Sequence, residues 1–122
     1  MQLGKINLED KFTKLREGDY AVGIIAKMNN YEFKVVKFKG DFVWHSHPDT
    51  DETFIILEGT MVLNFRDQIV ELCRGEMIVV PRGVEHKPSS VDGYKALLIE
   101  PEGVPNTGDA KSTMTIAKVE WV

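Results

Sequence analysis

Three histidines and one glutamate are placed where they could bind a metal ion together. His45 and His47 are separated by one residue, so on a β-strand their imidazoles project from the same face. Glu52 follows after a short turn, which returns the chain alongside them, and His86 lies 34 residues further along. Three imidazoles and one carboxylate are a good ligand set for a divalent transition metal, with one or two coordination positions left for water or substrate.

Each of these residues taken alone is a weak signal, and their joint arrangement favours the metal site. Asp49 and Asp51 could in principle replace Glu52 as a ligand. Asp51 points to the opposite strand face and Asp49 lies in the turn, so we expect both to be turn residues or acceptors that orient a histidine N–H. Arg82 precedes His86 in a turn, where it either reaches an anionic substrate or, as is usual for turn arginines, is solvated.

The elements that must position these residues are mostly strands. Asn7 can cap a short helix over residues 8–15, which Gly18 ends. Many short apolar runs then follow, separated by tight turns such as Asn29-Asn30, which indicates an all-β sandwich or barrel. The predicted strands are residues 21–28, 31–39, 42–47, 52–58, 60–65, 68–73, 76–80, 84–87, 94–100 and 113–119.

Strand alternation also suggests the walls of a pocket. Val43 shares the inward parity of the paired histidines, and Phe54 and Ile56 share that of Glu52. Such walls are apolar around a polar metal end, as in small-molecule sites. On the strand at residues 31–39 either alternating set could face inward.

Residues 53–57 are apolar at four consecutive positions after Thr53, so both faces of this strand should be buried. The covering layer is the chain termini, the N-terminal helix alone, or another subunit, and Val119, Trp121 and Val122 suit such a contact. Trp44 is expected in an interface or the core.

Length and composition predict one domain over residues 1–122. The net charge of -4 gives no reason to expect nucleic acid or anionic lipid as a partner. Cys73 is the single cysteine, so the chain cannot form an intramolecular disulfide. Neither a signal peptide nor a membrane-length apolar run is visible, so we expect a cytoplasmic protein. The predicted pocket indicates a small-molecule ligand.

Two groups of residues around the metal cluster resemble the two conserved motifs of the cupin superfamily. The first spans residues 40–59 and the second residues 75–90, with a first spacer one residue shorter than usual and Ser90 at the customary Asn position. The matching positions are Gly40, His45, His47, Glu52 and Gly59 in the first motif, and Gly75, Pro81, Gly83 and His86 in the second.

Segments 42–47, 80–88, 99–103 and 106–109 further resemble the small single-domain cupins called mannose-6-phosphate isomerase-like. This resemblance implies a double-stranded β-helix, the jelly-roll barrel of the cupins, with the metal between two facing sheets and commonly a homodimer. It does not supply a substrate, because fold does not determine chemistry.

Two functions follow from the predicted site. The first is a metalloenzyme acting on a small polar metabolite, by isomerisation with zinc, manganese or nickel, or by activation of dioxygen with iron or manganese. Glu58 or Tyr94 is then a candidate acid or base, although no catalytic residue is assigned. The alternative is a non-catalytic sensor in which the metal anchors a sugar or other metabolite. A purely structural metal fits less well, because structural sites are closed.

Overall fold

Residues 3–122 are described by a computed structural model, in which one short helix precedes the strands. Helix α1 spans Leu8–Thr13, and the Asn7 side chain caps it by accepting a hydrogen bond from the Asp10 backbone N at 2.9 Å. The helix ends two residues before the predicted boundary, because the chain turns at Lys14. Leu15 is nevertheless buried. No helix in residues 3–122 is long and apolar enough to cross a membrane.

Six strands form an antiparallel sheet that folds into an all-β cupin barrel, as predicted. The order is β1-β2-β6-β3-β4, and β5 pairs with β3 beside β4. The strands are β1 (Tyr20–Met28), β2 (Tyr31–Asp41), β3 (Glu52–Phe65), β4 (Ile69–Cys73), β5 (Met77–Val80) and β6 (His86–Pro101).

Strands β3 and β6 are each longer than predicted, because each continues through a bend where we expected a turn. At the bend a Cβ on Gly59 would lie only 2.2 Å from the Gly93 carbonyl oxygen, and Gly59 has φ 75°, so glycine is required there. Two hydrogen bonds of the Ser90 hydroxyl stabilise the bend. It donates to the Thr60 carbonyl at 2.7 Å and accepts from Gly93 N at 2.9 Å. The bends fold the sheet over its own interior.

Two predicted strands are wrong. Residues 42–47 form only an isolated bridge at His45. They bond at intervals to residues 83–88, and the Ser46 backbone bonds to Asp109 instead of to a strand. Residues 113–119 are not a strand either. Their backbone groups bond locally to side chains, as when the Asn106 side chain donates to Met114 O and accepts from Ile116 N.

The sheet buries apolar side chains on both of its faces. One cluster fills the barrel interior, and the other lies between the sheet and α1; we call this second group the helix-side cluster. Its buried members are Phe12, Leu15, Ala21, Ile25 and Val35.

Leu57 and Val122 pack against the helix-side cluster. The layer that covers the outer face of residues 53–57 is therefore α1 together with the last residue of the chain. Trp121, by contrast, stays exposed.

Candidate metal centre

His45, His47, Glu52 and His86 come together in the barrel as the sequence predicts. One ligand atom from each residue lies within 4.8 Å of the others. All four side chains belong to buried residues, with exposures between 0% and 4%. The interior of the barrel therefore holds a compact group of one carboxylate and three imidazoles.

The backbone fixes the spacing of these residues. His45 and His86 form an antiparallel bridge in which His45 N donates to His86 O at 3.0 Å and His86 N donates to His45 O at 2.9 Å. Gly83 N donates to His47 O at 2.9 Å, which ties the turn before β6 to the second histidine. Glu52 is the first residue of β3 and His86 the first of β6. These strands pair antiparallel, so their starts lie at opposite ends of the ladder, and the folding of the sheet brings His86 Nε2 to 3.1 Å from Glu52 Oε1.

Two of the histidines have one ring nitrogen fixed by the backbone. His45 Nδ1 lies 2.8 Å from Val43 O, and His86 Nδ1 lies 2.9 Å from Val84 O. A carbonyl oxygen only accepts, so each Nδ1 carries the proton and each Nε2 is the ring nitrogen left to face an ion. His86 Nε2 lies 3.1 Å from Glu52 Oε1. This arrangement is typical of metal-binding histidines.

His47 shows a different feature, which tests whether a metal fits the site. Neither of its buried ring nitrogens has a hydrogen-bond partner, although Nε2 lies 3.2 Å from Glu52 Oε2. Buried polar atoms without partners are rare and need an explanation. A cation bound by His47, His45, His86 and Glu52 would provide one, so the residues present fit a divalent transition metal.

The electrostatics of the cluster also suit a cation. Burial alone would raise the pKa of Glu52, but its contacts with His47 and His86 outweigh burial and hold that pKa well below the usual range. Burial and the neighbouring His86 lower the pKa of His45 to about 4. Burial would also lower the pKa of His47, but Glu52 outweighs it and raises that pKa. Glu52 is therefore ionised and His45 neutral near neutral pH, as metal ligands must be.

The two aspartates considered as alternatives lie outside the cluster. Asp49 is exposed. Asp51 accepts a hydrogen bond from Arg82 N at 2.9 Å and forms an exposed ion pair with the Arg82 guanidinium at 3.3 Å. Arg82 is therefore solvated at the rim, and Asp51 is a turn residue, as expected.

Residues 106–110 pack beside the histidines. They include Asp109, which the sequence did not mark as part of the site. The Asp109 carboxylate accepts from Ser46 N at 2.8 Å and from Ser46 Oγ at 3.2 Å. A Cβ on Gly108 would lie 2.1 Å from Ser46 O and 3.2 Å from His47 Nδ1. The segment thus approaches the site so closely that only glycine fits at position 108.

A cavity of about 40 Å³ reaches the cluster at His45 and Glu52. Phe54 lines it, as predicted from strand parity, whereas Ile56 is buried in the core and Val43 lies outside the lining. Other walls are mainly apolar and aromatic, including Val36, Phe38, Phe42, Tyr94 and Leu98.

Of the two acid–base candidates only Tyr94 lines this cavity. Burial raises the pKa of the Tyr94 hydroxyl far above its usual range, so the group remains protonated. Glu58 is exposed and paired with Lys95 at 3.4 Å. Trp44 is half-buried, with the Arg66 guanidinium 3.9 Å above its ring.

The sequence reasoning missed a buried charged pair in the same cavity. Lys34 Nζ lies 2.9 Å from Glu100 Oε1, and both residues line the cavity that His45 and Glu52 line. Burial and the charge of Glu52 raise the pKa of Glu100 to about 8, against the opposing effect of Lys34. The pair could have been suspected from strand alternation, because Lys34 and Val36 point to the same side of β2. The sequence alone did not decide whether that side faces the interior.

The fold and the four buried ligand candidates define a small β-barrel with an interior group that could hold a metal ion. A family model described as "Cupin domain" matches residues 34–99. The chain belongs to this cupin family.

Solved structures agree with this assignment. A cupin-2 domain containing protein from Shewanella frigidimarina is 50% identical, covering 80% of this chain and 94% of its own, with a TM-score of 0.76. A protein from Neisseria meningitidis is 34% identical, covering 81% of this chain and 100% of its own, with a TM-score of 0.72.

One curated relative is the uncharacterized protein YdbB of Bacillus subtilis, which is 33% identical over 67 residues. The match covers 54% of this chain and 59% of YdbB, so the chain spans less than two thirds of that relative. These relatives establish the family, and what the chain does has to come from the site.

Proposed function

We propose that the protein binds a divalent transition metal through His45, His47, Glu52 and His86, and that it is a metalloenzyme acting on a small polar metabolite. The observation that carries the proposal is the group itself, in which one ligand atom from each of four buried side chains lies within 4.8 Å of the others and His47 Nδ1 has no hydrogen-bond partner. The metal is iron, manganese, zinc or nickel, since the ligand types suit each of them.

The bound ion would supply Lewis-acid polarisation of a carbonyl for an isomerisation or, if it is iron or manganese, a site for dioxygen activation. The chain contributes the rest. Phe42, Phe54 and Leu98 give the cavity apolar walls, and the Tyr94 hydroxyl stays protonated and can donate a hydrogen bond. The aromatic and apolar walls then restrict the substrate to a small molecule.

A homodimeric assembly is a further part of the proposal, and it rests on the resemblance to the mannose-6-phosphate isomerase-like cupins. The reaction, sugar phosphate isomerase-like or dioxygenase-like, and a cytoplasmic location are proposed without support from that resemblance. Sedimentation of the purified protein at micromolar concentration tests the homodimer. A monomer mass at all concentrations would contradict the dimer.

The metal site is tested by the double variant His47→Ala/Glu52→Ala. We expect bound metal to fall to background in elemental analysis of the purified protein, because the variant loses two of the four ligands. The matched control is Asp49→Ala/Asp51→Ala, which removes two exposed carboxylates nearby and should retain metal. Stoichiometric metal in the first variant would refute the ligand assignment.

Catalysis is tested separately from metal binding. Metal-loaded protein is screened against phosphorylated sugars, keto acids and diketones, with product formation and binding both recorded. Turnover of one class supports the enzyme. Saturable binding without turnover supports the alternative, a non-catalytic sensor in which the metal anchors the metabolite.

A further inference from the structure

Lys34 and Glu100 form a second buried polar group in the barrel, distinct from the four ligand candidates. The Lys34 ammonium lies 2.9 Å from Glu100 Oε1 and 3.6 Å from Glu32 Oε1, and the side chains of Lys34 and Glu100 are only 4% and 2% exposed. Buried ion pairs rarely add stability beyond what apolar residues of the same size would give. Their presence in a small barrel therefore needs a reason other than stability.

The pairing of Glu100 is incomplete. Its Oε1 accepts from Lys34, but its Oε2 is buried without any hydrogen-bond partner. A buried acceptor left without a donor costs roughly 1–3 kcal/mol. A donor on a bound molecule would remove this cost.

The position of the pair connects it to the metal centre. Lys34 and Glu100 line the cavity of about 40 Å³ that His45 and Glu52 also line. A cavity of this size holds only a few water molecules, and therefore a ligand of only a few non-hydrogen atoms. One small molecule in it faces the ligand candidates and the Lys34–Glu100 pair together.

The charge balance around Lys34 indicates the class of ligand. Its single positive charge already faces Glu100 and Glu32, and Glu52 is close enough to Glu100 to affect its pKa. An anionic group placed beside the Lys34 ammonium would therefore also face these carboxyl groups, which disfavours a phosphate or a second carboxylate there. An uncharged hydroxyl suits the pair, since it both donates and accepts: it can bond to Glu100 Oε2 in either protonation state and accept from the Lys34 ammonium.

We propose that Lys34 and Glu100 bind the hydroxyl group of a small uncharged hydroxy-carbonyl compound whose carbonyl oxygen faces the metal centre. This inference rests on the proposed function, because it requires the metal to bind the other oxygen. Lys34 and Glu100 select the ligand by its hydroxyl group, and the four ligand candidates bind the ion without them.

The test compares hydroxyacetone with acetone, which differ by one hydroxyl group. Both are titrated into the full-length, zinc-loaded protein, and their dissociation constants are measured by protein-observed NMR. The quantity of interest is the preference for hydroxyacetone, taken as the ratio of the two constants. Part of the preference comes from chelation of the metal and persists when the pair is changed, so variants must separate the two contributions.

Two variants and one control isolate the pair. Glu100→Gln replaces the free acceptor by an amide donor, and Lys34→Met/Glu100→Leu replaces both charges by apolar side chains, which is the safer change for folding. Glu102→Gln is the control, because Glu102 forms an exposed ion pair with Lys27 outside the cavity. We expect the preference for hydroxyacetone to fall at least fivefold in both variants and to stay unchanged in the control.

Several results would overturn the inference. They are an unchanged preference in both variants, no preference in the wild-type protein, or binding of inorganic phosphate that is lost with Lys34. Metal content, measured on the same samples, separates this failure from failure of the proposed function. If the wild-type protein holds none of zinc, manganese, iron and nickel stoichiometrically, the metal site itself is wrong. If zinc is held by every variant and the preference does not change, only the role of the pair is wrong.

Discussion

The two faces of strand β2 differ in what they bury. Lys34 and Val35 are adjacent on the chain and both are almost fully buried, yet Lys34 faces the cavity and Val35 belongs to the helix-side cluster. The buried members of the helix-side cluster are all apolar. Within residues 3–122, the buried charged residues and histidines lie instead inside the barrel. They line the cavity or belong to the group of four ligand candidates.

This difference separates stability from binding within one sheet. Apolar burial on the helix side stabilises the fold by roughly 25 cal/mol for each Å² removed from water. On the cavity side, desolvation of Lys34, Glu100 and Glu52 offsets part of what the aromatic walls contribute. Changes on the helix side should therefore alter stability alone, and changes on the cavity side should alter ligand or proton binding as well.

The largest effect is expected on the helix side. Phe12→Ala removes the ring that packs on Leu15 and Val35, and it should lower the free energy of unfolding by about 4 kcal/mol in urea titration. Metal content per folded molecule should not change. A loss of metal at full folding would contradict the separation between the two faces.

Breaking the buried Lys34–Glu100 pair should lower the free energy of unfolding somewhat less than Phe12→Ala does. Lys34→Met leaves Glu100 buried without its cation, and we expect a loss of about 3 kcal/mol in the free energy of unfolding. The double variant Lys34→Met/Glu100→Leu should recover most of this loss, because neither partner is then a buried charge. If the double variant were less stable than Lys34→Met, the pair would be stabilising the fold in its own right.

The third effect depends on pH and concerns the metal-free protein. The pKa of His45 is about 4 in the folded chain and about 6.5 when unfolded, so the unfolded state takes up a proton first as the pH falls. Its contribution to stability is present above pH 6.5 and is lost toward pH 4. Between pH 7.5 and 5, wild type should lose about 2 kcal/mol more than His45→Gln.

Urea titrations in the presence of a chelator measure this difference. His47 and Glu52 titrate in both proteins, so their effects largely cancel in the comparison. Parallel loss of stability in wild type and variant would show that His45 takes up its proton normally in the folded state.

The smallest effect is expected at the helix cap. Asn7→Ala removes the side-chain acceptor of the Asp10 N–H and should cost about 1 kcal/mol, measured by urea titration. Asn30→Ala, in the exposed turn between β1 and β2, is the matched control and should change little. A shift in ligand affinity with Asn7→Ala would connect the helix to the cavity, against the separation drawn above.

The metal cluster could be predicted because it depends on local rules. The two-residue repeat of an expected strand predicted His45 and His47 on one side; residues 42–47 do not form that strand, yet the two histidines still meet, and a short turn brings Glu52 back to them. His86 required more than local rules, and its spacing within the second cupin-like motif supplied the assignment. The barrel followed from the number of short strands and turns.

The Lys34–Glu100 pair could not be predicted in the same way. Alternation on β2 gives two sets of residues, and both are buried in part because α1 covers the outer face. The pairing register of β2 with β6 puts Glu32 opposite Glu100, and only this register places Lys34 next to the Glu100 carboxylate. The course of residues 42–47 was missed for a related reason, since their partner, Asp109, is 63 residues away in sequence from Ser46.

The backbone bridge between His45 and His86 has a consequence for how the protein discriminates between ions. Two reciprocal hydrogen bonds between backbone groups hold these histidines together without using any ligand atom, so the fold itself sets the spacing of their rings. A preformed site of this kind cannot expand freely around a larger ion. Selection should therefore follow ionic radius, and the amide protons of His45 and His86 should exchange with solvent equally slowly with and without metal.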